Sequence, residues 1–475
     1  MKLISTLKKF DTKRLLSFSL FMQSPFFNIP PEALALYHII SPFIGQGNID
    51  ALDKKYIHQQ YFSKKKVSSL AEFNKVAWKL HTVVEQFISH YELEKNQQQK
   101  SHNLLQYYSE NYFSKSFTAL HTGIVKQLEA TPEQGEAYYL HLFRLQNDLY
   151  FHPETIKKEA PAASLLSDAQ LNLDRFYILS KLRIAIELFS RQQNLQEKHT
   201  IRLLDEIIIL AKEEKSPTFN IYLSLISLIM DGHQHKVFEQ LKNSFSQNLT
   251  LYSKTEQAII LQFLLNYTNR LFNNGQAKYL VPQFELYQLA VQKKLLIENN
   301  NQMTDVSFIN IIITACLSKD FNYAQYFLQA QKKYLNPVTG QNALNLSWAY
   351  IYFHSGQFEK AWIQLLKTNF ITTDYKLRAR SLLLRCYYEQ LTYDDELKDT
   401  LKHSLQSFKK FIYRLSTFSE RVKTLYYNQI LVIRALFHFD PEVDQKKDFK
   451  NKWTAFLDTH PAISKKWLLQ KINML

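Results

Sequence analysis

The sequence predicts an all-α protein built from helical hairpins, an N-terminal helical region running into a helical-repeat region. Three observations carry that expectation. First, the 475 residues include only 8 Gly and 12 Pro, while 46% are hydrophobic and 14% aromatic. Average usage would supply roughly four times as many glycines, and α/β folds, barrels and sandwiches need them for φ > 0 turns, phosphate loops and bulges. Second, apolar residues recur at helical spacing almost throughout, and period-2 strands bounded by turn residues are absent. Third, short breaks rather than long linkers separate the periodic stretches. At roughly 150 residues per domain the length suggests about three globular units, a division that stacked hairpins ignore.

At the start, Lys8, Lys9, Lys13 and Arg14 followed by the apolar run 15–22 imitate a signal peptide. No small-residue cleavage site follows, and Pro25, Pro30, Pro31 and Pro42 interrupt the weakly charged stretch before about 20 apolar residues accumulate. Asp11 reads instead as the N-cap of a short amphipathic helix. Ser69 with Glu72 forms a capping box that opens the stripe Leu70, Phe73, Val76, Leu80, Val83, Phe87 and Tyr91. Tyr107, Tyr108, Tyr112, Phe113, Tyr138, Tyr139, Phe143, Tyr150 and Phe151 are expected to fill helix-pair cores rather than to stack on bases. Thr131-Pro-Glu-Gln134 and Asp440-Pro-Glu442 place a cap residue before a proline and read as helix starts. Residues 153–169, with Pro153 and Pro161, are the best boundary, separating region 1–152 from region 170–475.

Phe176, Leu179, Leu182, Ile186 and Phe189 begin the second region with another apolar stripe. The helices that follow come in pairs: 199–214 with 217–230, 234–247 with 252–273, and 276–296 with 303–317. Then come 320–335, 342–354, 357–369, 375–391 and 394–415. Asn273-Asn-Gly275 is a C-cap and stop.

The most specific residues lie in Ala349-x-x-Tyr352-x-x-x-Gly356-x-Phe358-x-x-Ala361-x-x-x-Leu365. A large residue on one helix, a glycine turn and a small residue on the next let paired helices approach closely. Phe321, Ala324 and Leu328 repeat the end of this pattern 37 positions earlier. The pattern resembles the tetratricopeptide repeat, with the best copies at 303–335 and 342–369. It departs from that family at Asn345, Ala349 and Thr373, where tryptophan, glycine and proline would stand, and Leu397 and Leu401 replace the alanine and aromatic of a third copy. The resemblance implies a TPR-like superhelix. Residues 304–328 are also similar to a pentatricopeptide repeat, a cousin that reads RNA bases. At larger scale, Phe21-Met-Gln-Ser-Pro-Phe-Phe-Asn28, 173–183, Asn266-Tyr267 with Gly275, and 342–388 together resemble a bacterial family of helical proteins of similar length. That family brings no activity to carry over, and implies an N-terminal helical cap before the solenoid.

Lys+Arg 58 against Asp+Glu 43 gives +15. The excess sits at the two ends: 14 basic and 8 acidic groups in 1–100, 19 and 11 in 376–475, and near balance between. Such ends favour a polyanionic partner or simply solvated lysine-rich faces. Lys446, Lys447, Lys450, Lys452 and Trp453, then Lys465, Lys466 and Trp467, would suit an anionic surface or a solenoid's capping helix. Phosphate-loop, dinucleotide, nucleophile-elbow and zinc-protease motifs are all missing from the sequence. Gly45-Gln-Gly47 reads as a turn, Asp231-Gly-His233-Gln-His235 as a loop with exposed histidines, and Asp394-Asp-Glu396 as first-turn acids favoured by the helix dipole. Cys316 and Cys386 stand alone among apolar neighbours, as core residues of a reducing, cytoplasmic protein would.

The expectation is therefore a non-catalytic scaffold or adaptor, without cofactor or metal, that binds another protein through a concave surface. The groove residues expected are Trp348 and Tyr352, which share a helix face, and Arg378, Arg380 and Arg385 on the next helix. The alternative is a nucleic-acid-binding helical-repeat protein that uses its basic ends.

Overall fold

A computed structural model describes residues 1–475 apart from 46–47, 66–68, 154–161, 196–198, 231–233, 274, 299–300, 392–395, 417 and 443–444. Among the described residues the chain is all-α, with an isolated β-bridge between Ile297 and Met303 and no β-ladder. Contacts divide it into two compact units, Met1–Thr131 with Ala137–Phe176, and Pro132–Glu136 with Tyr177–Leu475.

The first unit contains α1 (Lys2–Leu7), α2 (Thr12–Gln23), α3 (Pro31–Gly45), α4 (Lys54–Lys65), α5 (Leu70–Lys95), α6 (Gln97–Glu110), α7 (Ser114–Glu129) and nearly all of α8 (Glu136–Tyr150). Asp11 caps α2 by accepting the Arg14 amide at 2.7 Å, and Ser69 Oγ caps α5 by accepting the Glu72 amide at 3.2 Å. The α5 stripe then packs against α1, α2 and α3, with Phe73, Val76, Leu80, Val83 and Phe87 buried and Leu70 left exposed. Leu15, Phe18, Phe21 and Met22 of the signal-like segment are buried in the same core. Among the described residues no helix is long and apolar enough to cross a membrane.

Three local expectations are corrected here. Of the nine aromatics expected in helix-pair cores, Tyr139 is buried, but Tyr107, Tyr112, Phe113 and Phe151 are at least half exposed. The core between these helices is a narrow seam of Leu105, Phe117, Ile124, Leu128 and Leu145; Tyr108 and Tyr138 pack against it half-buried, as expected, and the exposed rings lie outside it. Thr131-Pro does not open a helix: the Thr131 hydroxyl donates back to the Gln127 carbonyl at 3.0 Å, finishing α7, and α8 begins at Glu136. Asp440-Pro is a turn, because Asp440 Oδ1 accepts the Glu442 amide at 3.0 Å, two residues on, in the manner of an Asx-turn. The next helix starts at Lys446.

α9 (Ala162–Leu195) leads from the first unit into the second. There follow α10 (Leu204–Glu213), α11 (Pro217–Met230), α12 (His235–Gln247), α13 (Lys254–Asn273), α14 (Leu280–Gln292), α15 (Asp305–Leu317), α16 (Phe321–Gln331), α17 (Gly340–His354), α18 (Phe358–Lys367), α19 (Thr373–Gln390), α20 (Leu397–Tyr413), α21 (Glu420–Phe437), α22 (Lys446–Thr459) and α23 (Lys465–Met474). From α15 to α21 each helix packs on its successor, and α15, α17, α19 and α21 also pack on one another in turn. The basic C-terminal segment forms α22 and α23, whose Leu457, Leu468 and Ile472 join the core of α19 to α21.

Two turns in this run place glycine in the left-handed region. Gly275 (φ +94°) follows α13, and Gly356 (φ +79°) follows α17, where the Gln357 amide reaches the Tyr352 carbonyl at 2.8 Å. An added Cβ at Gly356 would meet nothing within 4 Å. The cost of Gly356→Ala is therefore one of backbone conformation alone. We expect a loss of about 1–2 kcal/mol in urea unfolding of the C-terminal unit; an unchanged midpoint would refute the left-handed turn.

Candidate functional site

Helix α19 supplies the centre of the site. Thr372 Oγ1 caps it by accepting the Tyr375 amide at 3.3 Å, and Asp374 lies in its first turn, where the helix dipole favours an acid. Spacings of three and four then place Arg378, Ser381 and Arg385 along one face. That face meets a cavity of about 410 Å³, to which α15 contributes Asn310 and Thr314, α17 contributes Tyr350 and His354, and α21 contributes Tyr426. Asn269 and Gln283 come from α13 and α14. Ser464, Lys465, Lys466 and Trp467 arrive from the start of α23.

Charge in the cavity is one-sided. Its described lining includes Arg378, Arg385, Lys465 and Lys466 and no Asp or Glu. Arg378 is balanced from outside the lining, its Nε 3.0 Å from Asp374 Oδ2, and Lys465 Nζ lies 3.1 Å from Asp458 Oδ1. Burial opposes the charge on Arg378, yet Asp374, Tyr350 and Tyr426 hold its pKa above the ordinary arginine value.

Arg385 has no such balance. It is 4% exposed, its guanidinium lies 4.9 Å above the Phe353 ring, and Nε makes only a long 3.5 Å contact with the Ser381 carbonyl. Burial lowers its pKa, with the Tyr350 and Tyr426 hydroxyls and the Cys386 thiol opposing. Burial, followed by the positive charges of Arg385 and Lys466, pushes His354 down to about 3. The imidazole is consequently neutral near pH 7 and a poor base.

Polar anchors hold the walls. Ser381 Oγ donates to Gln429 Oε1 at 2.7 Å, tying α19 to α21, and Asn428 Nδ2 donates to the Pro461 carbonyl at 2.8 Å, fixing the segment before α23. Glu389 accepts Trp467 Nε1 at 2.6 Å and also pairs with Lys471 Nζ, docking α23 on α19.

The five residues expected in a groove separate. Arg378 and Arg385 line the cavity. Arg380, two positions from Arg378, falls on another face of α19, where it donates to Ser407 Oγ at 3.2 Å and lies 4.8 Å above the Phe411 ring. Trp348 and Tyr352 stack on each other, centroids 5.6 Å apart, and are partly exposed. The α17 residues that reach the cavity are Tyr350 and His354, offset by two positions and so on the other side of the helix. Sequence reasoning missed Tyr350, His354, Ser381 and Tyr426. The i, i+3, i+7 spacing of Arg378, Ser381 and Arg385 was the available signal.

Other titratable groups fall elsewhere. His102 Nδ1 lies 3.0 Å from Asp148 Oδ2 in the first unit; burial raises the Asp148 carboxyl while His102, His121 and Arg144 oppose it. Cys316 and Cys386 are free and buried, and burial pushes both thiols up to about 12. His235 packs edge-on to Tyr279 at 5.4 Å rather than sitting in an exposed loop; Asp231 and His233 lie outside the described residues, as do Gly47, Asp394 and Asp395. Among the described residues no group of three or more His, Cys, Asp or Glu is arranged to hold a metal ion.

Fold and site together define an all-α protein with a cationic cavity in its C-terminal unit. No known protein family and no curated protein matches the chain.

Proposed function

We propose that the protein is a non-catalytic helical-repeat scaffold in which α15 to α21 form a TPR-like array that binds another protein along its inner layer of helices. The observation that carries this reading is the alternation of the array. α15, α17, α19 and α21 pack on one another in turn, and each gives side chains to the same cavity. Repeats stacked this way present a continuous surface on one side, which is how solenoids bind extended partners. The lining adds hydrogen-bond donors and positive charge, suited to binding, around a neutral imidazole.

Photo-crosslinking tests the reading. A crosslinking residue in place of Lys466, exposed where it lines the cavity, is expected to capture protein, whereas the same residue in place of Tyr413, 82% exposed at the end of α20, is not. Equal protein adducts from both positions would remove the inner layer as the binding face. Nucleic-acid adducts that persist at about 150 mM salt would favour the RNA or DNA reading.

A further inference from the structure

We infer that the cavity between α15, α17, α19, α21 and α23 is a binding site for a phosphate monoester, held by Arg385, Arg378 and Lys466. The inference stands apart from the protein-binding reading and needs no protein partner.

Arg385 carries the argument. A buried cation without a counter-charge is among the most unfavourable features a protein interior can hold. Here Arg385 is 4% exposed, lines the cavity, and has no carboxylate partner among the described residues. A ring face, a phenol and one long contact to a carbonyl leave several of its five N–H donors available. An anion in the cavity supplies the missing counter-charge.

Counting charge selects the anion. Arg378 is neutralised by Asp374 and Lys465 by Asp458, whereas Arg385 and Lys466 are not paired with a carboxylate among the described residues; Lys466 lies 5.7 Å from the Phe272 ring centroid instead. Two positive charges therefore remain. A phosphate monoester carries about 1.5 to 2 negative charges near pH 7, enough to balance both, whereas a carboxylate would leave one uncompensated. The planar guanidinium fork matches two phosphate oxygens, and no lining carboxylate repels a dianion.

Shape agrees. About 410 Å³ falls within the range of small-molecule sites, and Phe272, Tyr426 and Trp467 offer apolar surface for the organic part of the ligand. A free small molecule and a phosphorylated side chain present the same phosphate group to Arg385.

Calorimetric titration of the full chain decides. O-phosphoserine is expected to bind saturably, one per chain, and acetate at least about tenfold more weakly. Arg385→Gln is expected to weaken O-phosphoserine by about tenfold or more. Should that variant fail to fold, Lys466→Gln alters an exposed residue and is expected to produce a loss in the same direction. Absence of saturable phosphoserine binding, acetate binding as tightly, or unchanged affinity in both variants would overturn the inference. Titration with a phosphoserine-containing peptide identifies the source: tighter binding than the free amino acid assigns a phosphorylated chain, and exclusion of the peptide assigns a small molecule. Phosphoserine binding without protein crosslinks at position 466 would sink the scaffold reading and leave the phosphate site standing.

Discussion

Glutamate in place of Ala361 is expected to unfold the part of the C-terminal unit around α17, α18 and α19. Ala361 is fully buried on α18, the helix that packs between its two neighbours in sequence. A longer side chain there has to displace packed atoms, which costs about 1–3 kcal/mol in a well-filled core. Its carboxylate adds the larger penalty, because an unpaired buried charge costs about 3–5 kcal/mol. The sum is comparable with the whole stability of a typical domain, about 5–15 kcal/mol. Hydrogen exchange read helix by helix is the suitable measurement, since a chain of two compact units need not unfold in one step. Amides of α17 to α19 should lose protection while α2 to α5 keep theirs. Glu359→Ala, at an exposed position on the same helix, should change stability by less than about 0.5 kcal/mol. Unchanged protection in Ala361→Glu would mean that Phe358, Ala361 and Leu365 do not have the register assigned to them.

That register shows how far the sequence was legible. Phe321, Ala324 and Leu328 have the same burial as Phe358, Ala361 and Leu365: a partly buried ring followed by two buried residues. Local rules sufficed wherever one side chain meets its own helix, as with the caps at Asp11 and Ser69 or the turns at Gly275 and Gly356. They failed where two local uses compete for the same atoms. Thr131 had an oxygen fit for capping the next helix, but its hydroxyl was taken by the helix before it. The cavity was less legible still. Arg378 and Arg385 could be chosen from one helix, yet Arg380 came with them until the helix faces were separated. The partners on α15, α21 and α23 lie tens of residues away, and no periodicity in α19 announces them. Missing counter-charge is harder to read again, because it is a property of every neighbour at once.

The neighbour most distant in sequence also bears the greatest mechanical demand. Glu389→Ala is expected to loosen α23 and, with it, the wall of the cavity. The Glu389 side chain is 12% exposed, and its carboxylate receives both the Trp467 indole N–H and the ammonium of Lys471, a side chain 15% exposed. Its removal leaves an ammonium and an indole donor without their acceptor in a part-buried site, a loss of about 1–3 kcal/mol. Helix α23 spans only Lys465–Met474, and its start supplies Lys465, Lys466 and Trp467 to the lining. Amides of this helix should exchange much faster in the variant, and phosphoserine affinity should fall although Arg385 is intact. Replacing both partners, Glu389→Leu with Lys471→Met, separates docking from charge, since a buried ion pair exchanged for apolar residues of similar size is often neutral or stabilising. The double variant should therefore regain protection across α23 and much of the lost affinity. If it regains protection but not affinity, Glu389 acts on the ligand by more than holding the helix; if exchange in Glu389→Ala is unchanged, α23 is held by Leu468 and Ile472 alone.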